Sequence, residues 1–168
     1  MDITFHPHLD VYGVAIALIF VYEFGIRRLA GRYAPPGKPP VATVQRVMFY
    51  AGVIFLLISS TWPLHDIGEQ SLYFFHMTEH MLITLVVPPL LLAGMPGWLM
   101  HALVEPFIPL LKVITRPWFT LVFFNVWLAF IHVPSVVELM LTNDFFHFFA
   151  HLVLFISAIL MWWPVMDP

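Results

Sequence analysis

Two pairs of histidines stand four residues apart in stretches that are otherwise strongly apolar. They are His76 with His80, and His147 with His151. On a helix this spacing places both imidazole rings on one face, one turn apart. Neutral imidazole is a ligand for copper, zinc, iron and nickel. The two pairs therefore predict metal binding, and hydrogen bonding between neighbouring helices is the structural alternative for each histidine.

Glu79 directly precedes His80 and completes the sequence His76-x-x-Glu79-His80. This is the pattern of one class of zinc peptidases, in which two histidines hold the metal and the glutamate is the general base. The same carboxylate could instead bind the metal, orient an imidazole or accept a proton. Met77 and Met81 flank the pair, and a thioether suits Cu(I) as well as apolar packing. A membrane metallohydrolase is therefore one alternative.

The composition of the chain excludes a soluble protein. Of its 168 residues, 61% are hydrophobic and 10% are charged, and its mean hydropathy is +0.89. No soluble domain of this length buries so much apolar surface, so we expect an integral membrane protein with a single domain over residues 1–168. The chain contains no cysteine, which excludes disulfides, thiolate metal sites, iron–sulfur clusters and covalently attached haem.

Five apolar runs of the sequence are long enough to be membrane helices. A helix satisfies its backbone hydrogen bonds within lipid, so these runs favour helices over strands. We predict an all-α helical bundle whose five transmembrane helices span about residues 11–29, 46–61, 72–94, 117–133 and 145–163. Pro88 and Pro89 should distort the third helix. Residues 98–115 contain Pro106 and Pro109, and we expect this segment to lie along the membrane surface.

The basic residues predict how the chain crosses the membrane. All seven lie close to the connections that follow the first and the third helix: Arg27, Arg28, Arg32, Lys38, Arg46, Lys112 and Arg116. The positive-inside rule assigns both connections to the cytoplasm. The N-terminus is then expected outside and the C-terminus in the cytoplasm.

This orientation brings five of the nine histidines to one depth in the outer leaflet. The third helix enters from outside, so His76 lies about 6 Å and His80 about 12 Å below the surface at 1.5 Å per residue. The fifth helix carries His147 and His151 into the same band, and the fourth helix ends there with His132. We predict that these five histidines are metal ligands.

Other polar residues are placed relative to this band. Asn125 is expected on the same helix face as His132, two turns deeper. His6, His8 and His65 are expected just above the band, and His101 on the cytoplasmic side.

Several stretches of the chain resemble the polytopic CtaG-type cytochrome c oxidase assembly factors of bacteria. In the order of that family they are His6-Pro7-His8-Leu9-Asp10, Trp62-Pro63-Leu64-His65-Asp66, His76-Met77-Thr78-Glu79-His80-Met81-Leu82, Pro88-Pro89 with Gly94-Met95-Pro96, Asn125 to His132-Val133-Pro134, and His147 to Trp162-Trp163-Pro164. Members of the family generally continue with further transmembrane helices, whereas this chain stops at Asp167-Pro168. We expect a short or truncated member.

The resemblance implies a multi-pass protein of the bacterial plasma membrane that helps to mature haem–copper oxidase by binding or delivering copper on the outer side. Its partners would be oxidase subunits and the lipid bilayer, with no nucleic acid, and homo-oligomerisation is left open. We expect a binding and delivery protein rather than an enzyme. Zinc or haem is an alternative to copper, because histidines of facing helices can be axial haem ligands. A structural subunit of a respiratory complex is a further alternative.

Overall fold

The computed structural model of the chain describes residues 8–61 and 73–166, and every regular element in these two ranges is a helix. The chain divides into two compact units. Unit 1 comprises the described residues up to Pro106, and unit 2 comprises residues 107–166. The prediction of a single domain over residues 1–168 stays a prediction.

Unit 1 consists of five α-helices, one π-helical turn and most of a 3₁₀ turn. They are α1 (Leu9–Tyr33), α2 (Thr43–Ser59), α3 (Tyr73–Met81), the π turn (Leu82–Val86), α4 (Val87–Gly94), α5 (Gly97–Val104) and the 3₁₀ turn (Glu105–Phe107). The first helix is longer than its predicted span of 11–29 at both ends. The second begins three residues before its predicted start and ends two residues before its predicted end.

Close contact between α2 and α4 depends on glycine. A Cβ atom on Gly94 would lie 2.6 Å from Cα of Phe49, and one on Gly52 would lie 3.0 Å from Cδ2 of Leu91. These two pairs run in opposite directions along the chain, so the helices are antiparallel. Small residues allow membrane helices to approach closely, and dispersion contacts then hold them together.

Tyr22 of α1 packs against the contact between α2 and α4. Its side chain is fully buried, and its ring stacks on Phe49 with centroids 3.8 Å apart and an interplanar angle of 8°. Its hydroxyl donates a hydrogen bond to the carbonyl of Gly94 at 3.3 Å. Three helices of unit 1 therefore meet around one glycine.

The predicted distortion of the third helix takes the form of a π turn just before the two consecutive prolines. Leu82–Val86 forms this turn immediately before α4, which contains Pro88 and Pro89 in its first turn. A proline inside a helix lacks an N–H and its ring clashes with the carbonyl four residues earlier. A wider turn at this point removes that clash.

Unit 2 consists of α6 (Ile108–Ile114), α7 (Pro117–Ile131), α8 (Pro134–Thr142) and α9 (Asp144–Met166). The indole N–H of Trp127 on α7 donates to the carbonyl of Ala150 on α9 at 3.1 Å. Helices α7 and α8 are bent by 71° relative to each other. The predicted fourth helix, 117–133, thus ends two residues early because Pro134 disfavours helical geometry at the residue before it.

Among the described residues, four helices are long and apolar enough to cross a membrane, and the bent pair α7–α8 would make a fifth. The four are Leu9–Tyr33, Phe74–Gly94, Gly97–Ile114 and Asp144–Met166, while Thr43–Ser59 is an apolar helix of 17 residues. The all-α, membrane-spanning class is therefore confirmed, and the chain is a multi-pass membrane protein. The sidedness of its termini stays a prediction.

The segment predicted to lie along the membrane surface is helical over Gly97–Ile114 and meets the length and hydropathy of a span. Its prolines interrupt it less than expected. Pro106 lies in the 3₁₀ turn, and Pro109 lies in the first turn of α6, where no backbone N–H is needed for the helix. By its length and composition, this segment is therefore a further candidate for a membrane-spanning helix.

Candidate metal centre

In unit 1, the first histidine pair lies on one face of α3, as its spacing predicts. The ring centroids of His76 and His80 are 4.4 Å apart, with an angle of 50° between the ring planes. His80 is buried with 3% of its surface exposed, and His76 is half-buried. The backbone carbonyl of His80 accepts a hydrogen bond from the hydroxyl of Thr84 at 2.5 Å, which holds this turn where the π turn begins.

Glu79 is fully buried, although it is an acidic residue in an apolar helix. Burial of a carboxylate is costly unless hydrogen bonds or opposite charge compensate it. Glu79 is therefore not a solvated surface residue, although it directly precedes His80 in α3. Met81 is 58% exposed, which favours contact with the surroundings of the helix over a role as a metal ligand beside the buried His80.

Three hydroxyl residues lie at the end of α2, the helix that packs against α4 and the π turn, and they were not predicted from the sequence. Ser59, Ser60 and Thr61 are all buried. In the antiparallel arrangement shown by Phe49 with Gly94 and Gly52 with Leu91, the C-terminal end of α2 is directed toward the π turn, which contacts α2. The run Ser59-Ser60-Thr61 at the end of an apolar helix was the signal that could have identified them.

In unit 2, the second pair lies in the first two turns of α9. The ring centroids of His147 and His151 are 4.6 Å apart, and their planes are nearly perpendicular at 80°. Asn143 caps the helix, since its side-chain oxygen accepts a hydrogen bond from the backbone N–H of Phe146 at 2.9 Å. The cap fixes where the helix begins and hence the position of His147 within its first turn.

His132 is oriented by a hydrogen bond to its own helix. Its Nδ1 lies 2.6 Å from the carbonyl oxygen of Leu128. A carbonyl only accepts, so Nδ1 carries the proton and Nε2 presents the lone pair that a metal would use. A hydrogen bond at the other ring nitrogen is the usual way in which proteins set the tautomer of a metal-binding histidine.

Asn125 differs from His132 in its exposure. It is exposed, and its amide donates to the carbonyl of Leu121 at 2.8 Å. His132 is half-buried and is the C-cap of α7, with φ −97° and ψ 2°, and its shared helix face with Asn125 stays a prediction. His8 is half-buried and His101 is exposed. His6 and His65 lie outside the described residues.

Each unit therefore brings its own histidine pair together, and unit 2 also orients His132. Imidazoles at this spacing fit a copper or zinc ion better than a hard cation that prefers oxygen. In His132 the Nε2 atom carries the lone pair that would bind such an ion. That these five histidines are metal ligands stays a prediction, as do the number of sites and the identity of the metal.

Comparison with known proteins identifies one protein family whose sequence profile matches the chain. No curated protein and no solved structure matches it. The sequence profile of the cytochrome c oxidase caa3 assembly factors, Caa3_CtaG, matches residues 20–168, a range that includes all five predicted ligands. This match covers most of the sequence and agrees with the resemblance seen in the motifs. The chain belongs to the family of cytochrome c oxidase caa3 assembly factors.

Proposed function

We propose that this assembly factor binds copper through His76, His80, His132, His147 and His151 and delivers it to a haem–copper oxidase on the outer side of the bacterial plasma membrane. The observation that carries the proposal is the pairing of imidazoles on α3 and again on α9. Ionisable side chains in an apolar span are costly and are retained where they bind or transfer something. Paired imidazoles would allow an assembly factor of a copper-containing enzyme to bind the copper that this enzyme requires.

Copper is favoured over other metals by the ligands that the chain offers. Without cysteine, soft thiolate sites are excluded, and imidazole with an occasional thioether is the softest set available. Among divalent first-row metals, copper binds nitrogen ligands most tightly. His80 and Glu79 are buried, and the carboxylate of Glu79 would offset part of the cost of moving a cation into an apolar span.

The direct test is metal analysis of the purified chain. We expect protein from copper-supplemented cells, purified in detergent without chelators, to retain copper at a fixed ratio to protein. X-ray absorption should show imidazole nitrogen around the metal. The matched control is His101→Ala, because His101 is exposed on α5 and is not a predicted ligand; it should retain the full amount.

Three results would contradict the proposal. Protein without copper above the level of a control membrane protein would remove it. Zinc retained in preference to supplied copper would instead favour the hydrolase alternative, and Glu79→Gln should then abolish any peptidase activity. A Soret absorption band would favour haem.

A further inference from the structure

From Phe20 to its end, α1 carries a run of side-chain contacts that changes from apolar to basic. The rings of Phe20 and Phe24 stack with centroids 5.3 Å apart and an interplanar angle of 17°. Cζ of Arg28 lies 5.5 Å from the centroid of the Phe24 ring, which is the distance of a cation–π contact. Arg32 follows at the same spacing of four residues, one turn nearer the end of the helix. We call Phe20, Phe24, Arg28 and Arg32 the α1 stripe.

The two halves of the α1 stripe are both exposed, although they differ in chemistry. Phe20 is 63% and Phe24 is 48% exposed, within a helix that has the length and hydropathy of a membrane span. Both arginines are exposed as well. The guanidinium of Arg32 lies 5.3 Å from the ring of Tyr33, whose hydroxyl donates a hydrogen bond to the carboxylate of Glu105 at 3.2 Å. The basic half is thus anchored to the 3₁₀ turn of the same unit.

Basic residues outnumber carboxylates at this end of unit 1. The basic residues are Arg27, Arg28, Arg32, Lys38 and Arg46. Among the described residues of the unit, the carboxylates in contact with this end of α1 are those of Glu23 and Glu105. Glu23 lies 3.9 Å from Arg27 and accepts a hydrogen bond from Tyr50 of α2 at 3.0 Å. Its carboxylate is therefore directed toward α2 and not along the α1 stripe.

We propose that the α1 stripe binds an anionic phospholipid, with its phosphate between Arg28 and Arg32 and an acyl chain along Phe24 and Phe20. Like charges one turn apart on a helix repel each other, and a phosphate between them replaces this repulsion by two attractive contacts. A guanidinium donates paired hydrogen bonds to phosphate oxygens and also stacks on aromatic rings.

The apolar half of the stripe favours a lipid over a free phosphate ion. A free ion would use the two guanidinium groups alone. The exposed rings of Phe24 and Phe20 continue from Arg28 into the apolar span, so the stripe matches a phosphate that is attached to hydrocarbon. Arginines that only extend toward the membrane surface need no particular lipid. The α1 stripe instead predicts a preference for an anionic headgroup.

The test is native mass spectrometry of the purified chain, titrated in detergent with phosphatidylglycerol and phosphatidylcholine of identical acyl chains. We expect phosphatidylglycerol to be retained in preference to phosphatidylcholine. Arg28→Gln combined with Arg32→Gln should lower the affinity for phosphatidylglycerol about 25-fold, because each basic residue near an anionic lipid surface contributes about fivefold. Phe20→Ala combined with Phe24→Ala changes no charge and should also weaken lipid binding, since it removes the surface for the acyl chain.

The matched control removes the same charge elsewhere. Lys112 and Arg116 are exposed in unit 2 and do not belong to the α1 stripe, so Lys112→Gln combined with Arg116→Gln should leave the affinity nearly unchanged. Inorganic phosphate forms a second arm of the experiment. It should not displace the bound phosphatidylglycerol, because it makes no contact with the aromatic half of the stripe.

Three outcomes would overturn the inference: equal retention of the two lipids, an equal loss of affinity in both double charge variants, or displacement of the lipid by inorganic phosphate. If circular dichroism shows that the double arginine variant has lost helix, Arg28→Gln alone replaces it with an expected loss of about fivefold. Unchanged affinity in that variant would equally contradict the proposal. The titration is made without copper, so its result is independent of the proposed metal binding.

Discussion

Replacing both His76 and His80 by alanine should lower the affinity of the purified chain for Cu(I) by more than about 100-fold. Loss of groups that merely orient a ligand typically costs 10- to 100-fold in metal affinity, and here two predicted ligands are removed. The rings lie 4.4 Å apart on one face of α3, so both are expected to contact the same ion. Affinity is measured by competition with a chromophoric Cu(I) chelator in detergent.

The matched variant lies in unit 2. Because the sequence predicts that all five histidines act together, His147→Ala with His151→Ala should cause a comparable loss. Both double variants should keep the helix content of the unchanged protein, which circular dichroism reports. Copper affinity within about threefold of the unchanged protein in both variants would remove the histidine pairs from the proposed site, since a lost ligand costs far more.

Gly94→Ala should destabilise the protein more than any other single methyl group added to a described glycine. The new Cβ would overlap the backbone nitrogen of Phe49 and lie 2.6 Å from its Cα. A backbone cannot move aside as the end of a side chain does, so α2 and α4 must separate. We expect a cost at the upper end of the about 1–3 kcal/mol typical of overpacking. The shift would also weaken the Tyr22 contacts.

Two other glycines calibrate this measurement. Gly13 lies in α1 with nothing within 4 Å of an added Cβ atom, so Gly13→Ala should be neutral or stabilise the helix by up to about 1 kcal/mol. Gly52→Ala meets Leu91 at 3.0 to 3.2 Å and should fall between the two. Thermal unfolding in one detergent ranks the three variants. A melting temperature for Gly94→Ala equal to that of Gly13→Ala would show that α2 and α4 do not pack as described.

The sequence was sufficient to locate the five predicted helices because each one is a long apolar run, but it did not predict the short helix α8. It was less informative where a helix changes form. Pro88 and Pro89 predict a distortion, but whether the chain kinks or widens depends on packing that no pattern of residues displays. Pro109 illustrates the opposite case: it was expected to interrupt residues 98–115, yet a proline in the first turn of a helix costs no hydrogen bond.

In the candidate site too, the sequence predicted what depends on local helix geometry but not what depends on packing. Spacing alone predicted that each histidine pair shares a helix face, because only local geometry is involved. It could not predict that Leu128 fixes the tautomer of His132, since this depends on how α7 ends. It also could not predict that Asn125 is exposed whereas His132 is half-buried. The buried hydroxyls of Ser59, Ser60 and Thr61 required the antiparallel register of two helices.

The π turn at Leu82–Val86 has a consequence for how one membrane helix serves two purposes. A π turn accommodates one residue more than an α turn, and each residue of a helix rotates the next side chain by about 100°. The glycine-dependent contact with α2 therefore sets the rotation of α4 about the helix axis. The imidazoles of His76 and His80 on α3, on the other side of the π turn, point in a direction that is rotated relative to that contact. Losing a single residue here would preserve the packing and turn the histidines toward a different neighbour.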